Sequence, residues 1–159
     1  TALHWCEISY SCKRESIKAL LDSVTESQRL QALSVQDHYG RTVLHYATMS
    51  GNFEILEMIL ILLPASHRLQ ALSVQDVILG QTVLHSVVAH RISLQNVLNL
   101  LPEPSQYLQA VNLLDRNGKT VLSMMKEATR KEIVKFLSQQ PATTMGVMGQ
   151  YVLPGSFLY

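Results

Sequence analysis

Polar breaks cut the apolar positions of this chain into short segments that recur in one order. A Thr opens a short apolar segment, of which Val43–Met49 is an example, and this predicts a helix. The break Ser50-Gly51-Asn52 separates it from a second helix, where Phe53, Leu56, Ile59, Leu60 and Leu63 fall close to helical spacing. Pro64, Pro102 and Pro141 close that second helix in three units, since Pro cannot continue it, and Thr25 takes the place in the first. Ser27, Ser66 and Ser105 then stand where N-caps belong. Leu30/Leu33, Leu69/Leu72 and Leu108/Val111 give one apolar stripe over a short third helix. A loop with Asp37, Asp76 or Asp115 ends at Gly40, Gly80 or Gly118, a turn signal. Each unit reads helix, helix, short helix, turn, so the fold class is all-α.

The letters recur as well as the pattern. RLQALSVQD occupies residues 29–37 and again 68–76, an offset of 39, and at the same offset Tyr107 to Asp115 reads YLQAVNLLD. Thr42-Val43-Leu44-His45, Thr82-Val83-Leu84-His85 and Thr120-Val121-Leu122-Ser123 follow in turn, and the chain opens on Thr1-Ala2-Leu3-His4. A steady period of this length marks a solenoid, in which each unit buries its apolar face on its neighbours. The array is placed over residues 1–140, in units of about 1–37, 38–76, 77–115 and 116–140, with residues 141–159 apart from it.

G-x-T-x-L-H followed by two short antiparallel helices resembles the ankyrin repeat, whose hallmark is T-P-L-H-x-A. Thr42-Val43-Leu44-His45-Tyr46-Ala47 with Gly51-Asn52 matches it best. The resemblance covers about residues 1–140. The chain departs from it in carrying Val or Ala in place of Pro, and in units of 38–41 residues where about 33 is typical. The excess falls where the short third helix sits. A 40-residue unit also suits HEAT-type repeats by length, but those lack T-x-L-H. Arg91 occupies the Gly position of the third unit; the fourth has Ser123 for His, with Lys126 and Glu127 placed on its first helix. A polar end suits the last unit of an array. The resemblance implies an ankyrin-repeat-type solenoid of stacked helix-turn-helix units with an extra short helix per repeat. With that helix the chain is similar to ankyrin modules of effector proteins that intracellular bacterial pathogens deliver into host cells. That implies a protein-protein interaction module, and a virulence role.

Composition narrows the function further. Thirteen basic and 12 acidic side chains leave a net charge of +1, which gives no electrostatic case for nucleic acid. An apolar share of 47% against 16% charged excludes a mostly disordered chain. Cys6 and Cys12 are too few for a disulfide framework and read as thiols in a reducing, cytoplasmic-type compartment. The apolar run Ile55 to Leu63 is nine residues with Glu57 inside, well short of the roughly 20 a membrane span needs.

The chemistry-bearing residues do not assemble into a reaction centre. His4, His45 and His85 occupy equivalent positions, and stacked units hold such positions about 10 Å apart, too far to share a zinc ion. The resemblance implies instead that each imidazole pairs with backbone between units. His4 and Cys6 are two apart, and such residues do not face each other on a helix; Cys6 falls where the ankyrin repeat carries a small buried Ala. Glu54 and Glu57 read as the solvated side of an amphipathic helix. Lys126, Arg130, Lys131 and Lys135, mixed with Glu127 and Glu132, read as a paired helix surface. No phosphate loop, dinucleotide fingerprint, H-E-x-x-H or G-x-S-x-G occurs. The chain is therefore read as a non-enzyme without cofactor, metal or small-molecule substrate.

A partner protein is expected on the concave face and the turn tips, as the resemblance implies. The turns supply His38 and Tyr39, then Val77, Ile78 and Leu79, then Arg116 and Asn117; the first helices supply Met49 and His90, and Glu127 and Ala128 in the last unit. Thr42, His45, Thr82, His85 and Thr120 form the structural repeat motif. The middle turn stands out: Asp76 to Gly80 is one residue longer than its equivalents, and the inserted stretch is Val77-Ile78-Leu79. Such a tip either marks an interface or folds back onto the next turn. Residues 141–159 carry no charge but many apolar side chains; they are expected to pack on the array or lead to a further domain. The chain opens inside a repeat, which suggests a piece of a larger protein. An alternative function follows: a targeting or scaffold region of a larger effector enzyme whose catalytic domain lies elsewhere.

Overall fold

Thr42 and Thr82 each start a helix because their extended backbones point the hydroxyl back at the first turn. The computed structural model describes residues 14–140, with no account of the Arg14 side chain; Cys6, Cys12, His4 and the stretch 141–159 lie outside the described residues. In chain order the helices are α1 (Arg14–Asp22), α2 (Glu26–Ser34), α3 (Val43–Met49), α4 (Phe53–Leu62), α5 (Ala65–Leu72), α6 (Val83–Ala89), α7 (Leu94–Leu98), α8 (Pro104–Val111) and α9 (Glu127–Ser138). A 3-10 turn spans Leu122–Met124. Among the described residues there is no strand, only the isolated bridges Gln75–Thr82 and Leu114–Thr120.

The helices stack in rows. α3 packs on α6, and α6 on the Leu122–Met124 turn; α1 packs on α4, and α7 on α9; α5 packs on α8. α2 and α5 also lie against the next helix of the first row, α3 and α6. One continuous core runs through these rows, with Leu44, Leu56, Ile59, Leu72, Leu84, Val87 and Leu98 fully buried in it. Stacking thereby removes from water the apolar face that a single short helix could not cover alone.

Helix ends follow local chemistry. Asn52 and Ser93 cap α4 and α7, each side chain accepting an amide hydrogen bond three residues on. The starts of α2, α5 and α8 correct an expectation. Thr25, Pro64 and Glu103 are the N-caps, and Ser27, Ser66 and Ser105 lie inside the first turn. The extended backbone two residues before each Ser already begins the helix, and Thr25 forms a capping box with Gln28. The last unit needs a second correction. Its first-row helix shrinks to the Leu122–Met124 turn, Lys126 caps α9, and Glu127 and Ala128 belong to α9. Glu127 there pairs with Arg130 and Lys131.

In the duplicated nine-residue stretch the Arg and the second Gln have structural roles. Arg29 Nε donates to the Leu21 carbonyl at the end of α1. Arg68 does the same for Leu63 at the end of α4 and also donates to the Leu100 carbonyl one unit on, at 2.8 Å. Tyr107, at the equivalent place, stacks on Phe136 of α9 instead. Gln36 Nε2 donates to the carbonyls of Gly40 and Gln75, and Gln75 Nε2 to that of Leu114. These long polar side chains join successive units through carbonyls that helix ends and turns leave unpaired.

Candidate protein-interaction surface

The three turns share one device. Asp37 Oδ1 accepts the amides of Tyr39 and Arg41, both at 2.9 Å, and Asp115 Oδ1 accepts those of Asn117 and Lys119 at 2.8 and 2.9 Å. An Asp side chain bonding its own backbone two residues on is an Asx turn. Asp76 meets the extra residue by reaching one step further, to the amide of Leu79 at 2.8 Å. The turn thus keeps its shape at both ends, and the added length goes into the tip. Gly40, Gly80 and Gly118 leave each turn at positive φ, 73°, 63° and 70°.

The turns also bond to one another. The amide of Val77 donates to the Tyr39 carbonyl at 2.9 Å, and the amide of Arg116 to the Leu79 carbonyl at 3.0 Å. These two bonds tie the three tips into one continuous edge. Along it Tyr39, Val77, Ile78 and Leu79 are 41, 49, 50 and 45% exposed. The tip does not fold back under its neighbour. Of the two readings the sequence left open, burial is excluded, because both flanking bonds are made by backbone and leave the side chains outside. The Tyr39 ring meets the His38 ring, centroids 3.7 Å apart, and the Arg41 guanidinium lies over it, 5.4 Å from its centroid. Arg116 and Asn117 are exposed on the third tip.

Charge on the turns is tuned by these bonds. Burial pushes the Asp37 carboxyl up, but the Tyr46 hydroxyl and the amides of Arg41 and Tyr39 outweigh it and hold it below the usual carboxylate range. The amide of Lys119 is the main cause of the lowered value at Asp115.

Behind the edge lies a buried seam. The amide of Thr82 donates to His85 Nδ1 at 3.2 Å, so this nitrogen is the acceptor and Nε2 carries the proton. Nε2 then donates to the Lys119 carbonyl at 3.1 Å, one unit on. His45 Nδ1 accepts from the Thr42 amide in the same way, at 3.1 Å. Its Nε2 faces the Gln81 carbonyl but closes no hydrogen bond of ordinary geometry. The expected inter-unit bond is thus made by His85 and not by His45. Burial lowers the pKa of both imidazoles below the ordinary value, against the pull of the facing carbonyl. Thr120 repeats only the local part: Ser123 turns its hydroxyl to the Thr120 carbonyl and reaches no further unit. Among the described residues no group of three His, Cys, Asp or Glu could hold a metal ion.

Met49 and His90 are also exposed, but elsewhere. Met49 ends α3 and His90 is the C-cap of α6, whereas the tips precede the N-caps Thr42 and Thr82. A seven-residue helix separates the two groups, about 10 Å along its axis. The structure therefore brings His38, Tyr39, Val77, Ile78, Leu79, Arg116 and Asn117 together and sets Met49 and His90 apart. Three contributors were missed. Leu114 is 52% exposed at the place Gln75 holds one unit earlier; its apolar side chain at a position otherwise filled by Gln was the available signal. Arg68 and Gln75 join units through backbone; their identity in both copies of the nine-residue stretch was the sign.

This array of short helices, capped by Thr and joined by Asp-Gly turns, is an all-helical repeat arrangement. A family model of ankyrin repeats (many copies) matches residues 3–60, and the helical array is consistent with that match. No curated protein matches the chain. Ankyrin repeats are in general protein-interaction modules and are typically non-catalytic. No helix among the described residues is long and apolar enough to cross a membrane.

Proposed function

We propose that the chain is a protein-protein interaction module that holds a partner protein on its turn tips and on the exposed ends of its first-row helices. One observation carries this reading. Val77, Ile78 and Leu79 are adjacent, apolar and about half exposed, in a turn whose backbone bonds to the turn on either side and to its own Asp76. A contiguous apolar tip on an otherwise well-packed array is where an interface is expected, since a few such side chains dominate binding. Tyr39 extends the tip on one side. Met49 and His90 form a second, weaker candidate. We take the units as about 1–37, 38–76, 77–115 and 116–140, the first three each with a short helix added after the second helix. By resemblance through that helix, we further propose that the module serves a bacterial effector and that its partner is a host protein in the host cytosol.

The test is an affinity pull-down from host-type cell lysate, read by mass spectrometry, with wild type and a Val77→Asp/Ile78→Asp/Leu79→Asp variant compared. The variant should remain folded by circular dichroism, because all three side chains face solvent. A protein retained by wild type and lost by the variant is the expected result. Equal retention would reject the tips as the site. Failure of wild type to retain any protein would count against the module itself.

A further inference from the structure

We infer that the turn-tip edge takes an extended segment of a partner protein that carries adjacent apolar side chains next to carboxylates. The inference rests on the interaction reading above and names the partner's chemistry. Each turn contains a single acid, and each of these acids faces inward. Asp37, Asp76 and Asp115 all spend Oδ1 on amides of their own turn, and Asp37 Oδ2 accepts from the Tyr46 hydroxyl. Asp76 and Asp115 are only 7% exposed.

What faces outward is a strip of Tyr39, Val77, Ile78 and Leu79 that ends in the cations Arg116 and Lys119, both exposed. The ion pairs among the described residues lie on α1 and α9, so neither cation is neutralised by a described acid. Arg116 is also held in place. Its stem lies over Gly80, where an added Cβ would come within 2.6 Å of Arg116 Cγ. Its guanidinium reaches back to the Ile78 carbonyl at 3.4 Å. The charge is thus laid along the apolar strip, and a partner loses less freedom in engaging it than with a swinging side chain.

Charge complementarity chooses the occupant. Residues 136–159 contain no charged side chain, so the chain's own tail cannot answer the cations. A two-fold copy would set the same cation-bearing strip against itself. A segment with two or three apolar side chains and neighbouring Asp or Glu answers both features.

The experiment pans a displayed library of random twelve-residue peptides on the 159-residue chain at low salt, sequences the enriched pool, and measures single peptides by fluorescence anisotropy. The expected pool is net acidic with adjacent apolar residues. Its members should bind Arg116→Glu/Lys119→Glu roughly tenfold more weakly, with most of that difference gone at high salt, where charge is screened within a few ångströms. Ile78→Asp should abolish binding. Arg116→Lys/Lys119→Arg, which keeps both charges, should retain most of it. A pool that is neutral or basic, or indifferent to these variants, overturns the inference. So does the absence of any enrichment, or a dimer in sedimentation velocity that Ile78→Asp dissolves. Peptides lost on Met49→Asp/His90→Asp but kept by the turn variants would overturn it too, while leaving the module's role in binding intact.

Discussion

The Thr-His seam and the turn edge are built from the same repeat, yet they use it in opposite ways. In the seam, Thr42 and His45 recur as Thr82 and His85, all four buried; their bonds close each helix start on itself, and His85 also reaches the next unit. At the edge, the Asp and Gly recur but the residues between them do not: His38-Tyr39, Val77-Ile78-Leu79 and Arg116-Asn117 share no side-chain chemistry. The backbone pattern of the edge is nevertheless constant, because Asp76 reaches one residue further and absorbs the insertion. Repetition therefore marks what holds the array together, and variation falls on the tips that the array leaves exposed.

The comparison can be broken most sharply by paired truncations. Leu84 is fully buried in α6, whereas Ile78 is half exposed. Leu84→Ala should cost about 2–5 kcal/mol, and Ile78→Ala no more than about 0.5 kcal/mol, by urea denaturation. A comparable loss for both would mean that the tip is part of the core. The second pair is Gly40→Ala and Gly118→Ala. Both glycines have positive φ, but a Cβ on Gly40 would meet Val77 Cγ1 at 2.8 Å and its amide nitrogen at 2.9 Å, while one on Gly118 meets nothing within 4 Å. Gly118→Ala should cost about 1 kcal/mol for conformation alone, and Gly40→Ala about 2–3 kcal/mol. Equal costs would show that the tips do not stack as closely as described.

The smallest effect concerns pH. His45 and His85 have folded-state pKa values below that of an unfolded His. The unfolded chain then binds more protons as pH falls below about 6.5, so stability is fully present above that pH and lost as pH drops through the folded values. The urea midpoint should be lower at pH 5 than at pH 7. His85→Gln should lower it at both values and narrow the gap, since the seam then has one titrating group fewer. An unchanged gap would place the pH dependence outside the seam.

The helices, their order and the Asp-Gly turns were legible because each depends on residues three to five apart. The Thr that opens a helix at residues 42 and 82, the Ser50-Gly51-Asn52 break and the loops from Asp37 to Gly40 and Asp115 to Gly118 are of this kind. Two local readings failed where equally local alternatives competed. Ser27, Ser66 and Ser105 are good caps by type, but Thr25, Pro64 and Glu103 already carry the extended backbone that starts the helix. Near residues 122–128 the T-x-L motif promised a full helix. With Ser123 in place of His, a 3-10 turn forms and the helix begins only after Lys126.

Sequence alone determined that this chain is a helical repeat array, since repetition, period and turn residues are properties of the string and of short-range hydrogen bonding. It also singled out Val77-Ile78-Leu79 as the departure from the pattern. Whether those side chains lie in or out was decided by tertiary structure, because burial depends on which backbone a neighbouring unit presents. The Tyr39 carbonyl takes the Val77 amide and the Leu79 carbonyl takes the Arg116 amide, and the side chains between are left to solvent. The same dependence on a neighbour separates His85, which meets a carbonyl one unit on, from His45, which faces one without closing the bond.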